Sequence, residues 1–264
     1  MNSVKPSAGF YLYLIALIAF FIGTTANASS GDSIIEAVDT HEDGYRNLKS
    51  NVTMILDNGA GRTRERHLDV YTIESLPFGD KRRFVFNQPA DIDGTAVLIH
   101  SNVVKDDDQW IYLPAFKRVK RVTSRNKSSP FVGSEYSYED LASQEQPKYT
   151  NTYLQSVDCG ELKCDSVERV PNFPNSAYSK IIVYVDKQHR RYRKVEYFDK
   201  SGKHTKTQLL EDYQLYDKRY WLANKSTMIN HVNNKKTIML WKDIQLKTAQ
   251  NETQFTANAL KRAR

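Results

Sequence analysis

"DDDQWIYLPAFKRVKRV", residues 106–122, joins a short aromatic strand to a proline and then to a strand-like segment that carries cations on both faces. Lys117, Val119 and Arg121 point one way; Arg118, Lys120 and Val122 point the other. A half-buried strand ordinarily keeps its charges on one side, so this segment belongs to a sheet with an unusual boundary.

Outward from that stretch, period-two alternation dominates. "NVTMIL" sets Val52, Met54 and Leu56 on one face, "RHLDVY" pairs Leu68 with Val70, and "RRFVF" pairs Phe84 with Phe86. "TAVLIH", "WIYL", "YTNTYLQSV", "SKIIVYV", "RKVEYF", "WLANKSTMI" and "TIMLWKDIQL" continue the pattern, and "FDKSGK" and "HVNNKK" are hairpin turns. About eleven strands joined by short turns predict an antiparallel meander whose edges need closure or curling. One helix is expected early: Ser33 and Glu36 have capping-box spacing, Ile34, Ile35 and Val38 form a stripe, and "HEDG" ends it. Residues 123–147, rich in Ser and Glu, read as a long loop with one helical turn near 138–143, the kind of segment that forms lids. The closing "KRAR" reads as a frayed basic terminus.

The first 28 residues read as a secretory signal peptide. Lys5 precedes the apolar run "FYLYLIALIAFFIG", and Ala26 and Ala28 supply the small-residue cleavage pattern. The run is short for a spanning helix. Cleavage after Ala28 would leave residues 29–264 as one exported β-rich domain. The formal charge is +7. After export, the expected counterparts are anionic lipid headgroups, an acidic protein surface or simply water, not nucleic acid. Cys159 and Cys164 are the only cysteines. Strand-like "YTNTYLQSV" and "DSVERV" flank the pair, and an oxidising compartment predicts a disulfide at a hairpin. Four intervening residues fit neither a thioredoxin-like motif nor a zinc site.

The residues offer no catalytic constellation. The six histidines lie apart, and no nucleophile elbow or phosphate-cradling glycine loop occurs. Asp106, Asp107 and Asp108 lack the ligand spacing of a calcium loop and read as a solvated hairpin loop. No cofactor or metal is expected, and the protein is not expected to be an enzyme.

The central block is more specific. "KRRFVFNQPADIDGTAVLIH", "DDDQWIYLPAFKRVKRV" and "SSPFVGSEYSYEDL", followed by "VYVDKQHRRYRKVEYFDKSGKHTKT" and "FTANAL", resemble the signature of the LolA-like outer membrane lipoprotein-sorting family across the whole mature chain. Lys117 and Lys120 stand where that family often has glycine and arginine. The resemblance implies a mainly β fold with a few helices: one curved antiparallel sheet forming an incomplete, open barrel under a lid of helix and loop. It also implies acyl chains of lipoproteins or lipids as cargo, and an RND-type inner-membrane transporter as partner. On that frame Met54, Leu56, Leu68, Val70, Phe84, Phe86, Leu98 and Leu113 are the candidate cavity lining, although alternation does not reveal which strand face is concave. Arg118, Lys120 and Arg121 are the candidate headgroup or partner contacts; plain solvent-exposed charge at a sheet edge explains them equally well. The expected function is a monomeric periplasmic carrier moving lipid or lipoprotein toward the outer membrane, with peripheral membrane contact. The alternative is a periplasmic sensor or accessory subunit that docks on a membrane transporter or signalling protein.

Overall fold

The computed structural model describes residue 1, residues 30–75 and residues 78–263. The leader and its cleavage point lie outside the described residues. Helix α1 spans Gly31–Glu42. Its N-cap is Ser30, whose Oγ accepts from the Ser33 N–H at 3.1 Å, while Ser33 Oγ donates back to the Ser30 carbonyl. The cap therefore sits three residues before the expected Ser33. Ile34, Ile35 and Val38 are buried as the stripe predicts. Gly31 is required by packing: a Cβ there would lie 2.6 Å from the backbone of Asn151.

Thirteen strands follow: β1 Asn47–Asp57, β2 Thr63–Ile73, β3 Lys81–Gln88, β4 Ala96–His100, β5 Asp108–Leu113, β6 Arg118–Arg121, β7 Tyr149–Cys159, β8 Leu162–Pro171, β9 Tyr178–Asp186, β10 Tyr192–Asp199, β11 His204–Tyr216, β12 Tyr220–Asn230 and β13 Lys236–Leu246. About eleven were expected. β11 is the strand that alternation does not announce, because Leu209 and Leu210 stand side by side and Asp212 adopts a left-handed φ of 52°. All thirteen form one sheet in the order β6-β5-β4-β3-β2-β1-β13-β12-β11-β10-β9-β8-β7. Every neighbouring pair is antiparallel. Apart from β1 with β13, every pairing joins strands that are neighbours in sequence. Two meanders therefore run outward from the β1–β13 seam, where Val52 opposes Trp241 and Met54 opposes Met239. The sheet is curved and remains open, with β6 and β7 as its edges.

Residues 122–148 connect those edges and fold into the inner face. Phe131, Tyr136, Tyr138 and Leu141 are buried there together with α1 and the inward side chains of the strands. The expected helical turn at 138–143 is a non-helical turn, and a short 3-10 turn forms earlier, at Phe131–Gly133. The segment is fastened by the three aspartates. Asp106 faces Lys127 at 3.9 Å, Asp107 binds Lys148, and Asp108 binds Arg121 of β6. The expected solvated loop is instead a row of ion pairs, two of them to buried lysines.

The C-terminal segment also departs from expectation. Phe255, Leu260 and Ala263 are buried against Ile73, Val85, Ala96 and Leu98 on the outer face of the sheet. Arg83 lies between the rings of Tyr71 and Phe255, 4.5 and 5.4 Å from their centroids, and His100 Nε2 donates to the Phe255 carbonyl at 2.8 Å. The terminus is docked, not frayed, up to Ala263. Cys159 and Cys164 are disulfide-bonded across the β7–β8 hairpin, as predicted, with Cα atoms 5.8 Å apart. Among the described residues no helix is long and apolar enough to cross a membrane.

Because Phe255 anchors the whole C-terminal segment, Phe255→Ala is expected to destabilise the protein by about 3–5 kcal/mol. Urea unfolding checks this; a change below about 1 kcal/mol would show that the segment is dispensable.

Candidate functional site

None of the eight residues expected to line a cavity borders the cavity of about 380 Å³ that the structure forms. Met54, Leu68, Val70, Phe84 and Phe86 are at most 1% exposed and belong to the close-packed inner core. Phe131 covers two of them, its ring centroid 5.2 Å from Phe84 and 5.8 Å from Phe86. Leu56 packs half-buried against the same cluster. Leu98 points to the other face, under the C-terminal segment. Leu113 ends β5, half-buried, opposite Arg118. The alternation grouped same-face residues correctly within each strand, but it could not show that a segment more than thirty residues away would fill the space above them.

The open space lies beside this core. A cavity of about 380 Å³ sits between the last turn of α1, residues 136–145, the starts of β1 and β3, and β10–β13. Leu48, Leu210, Trp221, Met239, Trp241 and Ile244 give it an apolar wall, and Tyr45, Tyr136, Tyr192 and Tyr213 add amphipathic rings. Asp39, Glu42, Asp43, Asp80 and Glu145 also border it. Their placement follows from the helix period. Ile35, Val38, Asp39 and Glu42 share one face of α1, so the stripe that is apolar in the first turns becomes acidic in the last. That switch, together with the tryptophans of β12 and β13, was the available sequence signal for the site.

Burial governs the electrostatics of these acids. Desolvation, followed by Asp39 and Asp43, pushes Glu42 up to about 8. Desolvation raises Asp39 to about 6 against the opposing pull of Arg169, and Asp80 to about 6 against that of Arg82. Asp43 and Glu145 are raised by the same cause. Asp140, also on the wall, is committed to structure: it accepts from Tyr178 Oη at 2.6 Å, the Ser137 N–H at 2.7 Å and Lys206 Nζ at 3.2 Å. Among the described residues no cluster of three or more His, Cys, Asp or Glu could hold a metal.

The basic strand lies elsewhere. β6 is an edge strand of four residues, and none of its residues borders the cavity. Val119 packs toward the outer cluster and Val122 toward the inner core, which accounts for cations on both faces. Arg118 and Lys120 are exposed, with Lys120 Nζ 5.5 Å from the Phe116 ring centroid, whereas Arg121 is bound to Asp108.

This architecture has known counterparts. A domain from Vibrio parahaemolyticus named for outer membrane lipoprotein sorting is 39% identical, covering 88% of this chain and 98% of that one, with a TM-score of 0.85. The chain belongs to the same outer membrane lipoprotein-sorting family as that domain. A family profile described as "Uncharacterized protein" matches residues 79–262. A DUF1329 family protein from Desulfovibrio piger has the same fold at 22% identity and TM-score 0.83, over 87% of this chain and 97% of that one. So does a LolA superfamily protein from Nitrosomonas europaea, at 17% identity and TM-score 0.71, over 87% and 98%. No curated protein matches the chain.

Two outcomes follow from the packing and the charges. Phe86→Glu would place a carboxylate in the closed core and is expected to abolish cooperative unfolding; a folded variant would show that this region is open. The pH dependence has a definite sign. Asp39, Glu42 and Asp80 stay protonated in the folded chain to higher pH than their ordinary 3.8 and 4.5 allow in the unfolded chain. The folded state therefore holds more protons between about pH 4 and 8, and stability falls as pH rises through that window. Melting temperature is expected to drop from pH 5.5 to 8.5, and Glu42→Gln should flatten the upper part of that drop.

Proposed function

We propose that the protein is a periplasmic, non-enzymatic carrier that shields an acyl chain of a lipoprotein or lipid for transfer toward the outer membrane. The observation that carries this reading is the cavity itself, bounded by tryptophans and aliphatic side chains in a member of the lipoprotein-sorting family. A buried methylene contributes about 0.8 kcal/mol, so a sixteen-carbon chain left in water costs on the order of 12 kcal/mol. A carrier must offset that cost without fixing the chain permanently. A cavity of about 380 Å³ lies at the lower end of ligand-site volumes, roughly 300–1,000 Å³, and suits one chain better than several. The apolar leader and the disulfide support export to the periplasm, with residues 29–264 as the mature domain. Arg118 and Lys120, the exposed cations of the β6 edge, are the proposed contact for lipid headgroups or for an RND-type transporter partner.

Delipidated protein is expected to bind a fluorescent fatty acid with one-to-one stoichiometry. Ala223→Trp, which fills the cavity from β12, should weaken that binding at least tenfold while the protein still unfolds cooperatively. Unaltered binding in this variant would move the ligand elsewhere, and no binding by wild-type protein would end the carrier reading.

A further inference from the structure

Simple acyl-chain binding leaves the acidic wall unexplained. Asp39, Glu42, Asp43, Asp80 and Glu145 border the cavity, and Arg82 is the only Lys or Arg among the described lining residues. Arg82 is itself engaged, donating to the Leu141 carbonyl at 3.2 Å, and the buried Arg169 is held by Asn151 and Gln144. This runs against the chain as a whole, whose formal charge is +7.

The position is also unfavourable for the helix. Glu42 and Asp43 stand at the C-terminus of α1, where the aligned peptide dipoles already place negative potential. Among the described residues the Glu42 carboxylate makes no hydrogen bond and no ion pair. The hydroxyls of Tyr45 and Tyr192, close enough to Glu42 to feel its charge, likewise have no hydrogen-bond partner among the described residues. Trp221 and Tyr213 line the same cavity, but one face of each ring already carries the guanidinium of Arg191, 4.7 Å from both centroids and itself paired with Asp186. The carboxylates without a partner are therefore what makes these surroundings suited to a positive charge, and a phosphate or carboxylate head would meet like charge there.

We infer that the cavity takes an amphiphile whose polar end is cationic, an amine or a quaternary ammonium, seated by Glu42 and Asp80 with its carbon chain along Leu210, Met239 and Trp241. This rests on the carrier reading and deepens it. The same positive group can come from an aminolipid headgroup or from a lysine beside the acylated end of a lipoprotein.

Affinities of delipidated protein for hexadecyltrimethylammonium, monopalmitoylglycerol and palmitate, all below their micelle concentrations, test the inference at pH 8.5 by calorimetry. The cationic amphiphile is expected to bind at least tenfold more tightly than the neutral one, with palmitate weakest. Glu42→Gln with Asp80→Asn should bring the cationic-to-neutral ratio close to one. Equal affinity for cationic and neutral chains, or a ratio unchanged in the double variant, would overturn this inference while leaving the carrier reading intact. Binding of none of the three would remove both. A palmitoylated peptide with a neighbouring lysine, compared with one carrying aspartate, separates the sources. Discrimination between them as strong as between the simple amphiphiles assigns the cation to a lipoprotein; its absence beside strong discrimination among the amphiphiles assigns it to an aminolipid.

Discussion

The antiparallel pairing of β1 with β13 is the constraint on which the rest of the molecule depends. It joins the first strand to the last, so the chain must grow outward from that seam in two meanders. The two free edges are then β6 and β7, neighbours in sequence separated by residues 122–148. That segment has to cross the opening of the curved sheet. In doing so it carries Phe131, Tyr136, Tyr138 and Leu141 into the inner face, fastened by Asp106, Asp107 and Asp108. Closure into a complete barrel would satisfy both edges but leave no place for this insert. The open sheet keeps its edges short or charged on one side, at the four residues of β6, and braces β7 with α1 and the disulfide-closed hairpin on the other.

The inner face is consequently divided. Over β1–β4 the insert and α1 complete a close-packed core, and the residues there contribute stability. Over β10–β13 the last turn of α1 and residues 136–145 stand off part of the sheet and leave the cavity between them and it. Its wall combines tryptophan and aliphatic surface with carboxylates whose protonation burial favours. A binding protein commonly carries such a conflict between stability and function at its site. The acids at the end of α1 cost the helix favourable electrostatics and make the fold sensitive to pH; the cationic ligand proposed above would offset that cost.

Much of the fold was legible in the sequence because it rests on local periods. Alternation gave the β-rich architecture and most strands, the Ile34, Ile35 and Val38 stripe gave the helix, and Cys159 with Cys164 gave the hairpin clip. The site was not legible in the same way. Alternation shows which side chains share a face, but whether Phe86 meets a ligand or Phe131 depends on where residues 122–148 come to lie. Leu98 shows the same limit, since its cover is Phe255 and Leu260 from the far end of the chain. The cations of β6 occupy both faces because it is a very short edge strand, with Val122 buried on the inner side and Val119 half-buried on the outer. Conversely, Glu42 lies in the "HEDG" that reads as the end of the helix, and it is the packing of α1 over the sheet that brings it and Asp39 to the cavity.

The central claim is that this cavity holds an amphiphile in the cell. Native mass spectrometry of the protein, released gently from its own cell envelope and never exposed to detergent, tests it most directly. The account predicts a population carrying a single bound amphiphile of a few hundred daltons or more, lost when Ala223 is replaced by Trp. Protein recovered only at the bare polypeptide mass, from cells in which it is folded and disulfide-bonded, would contradict it.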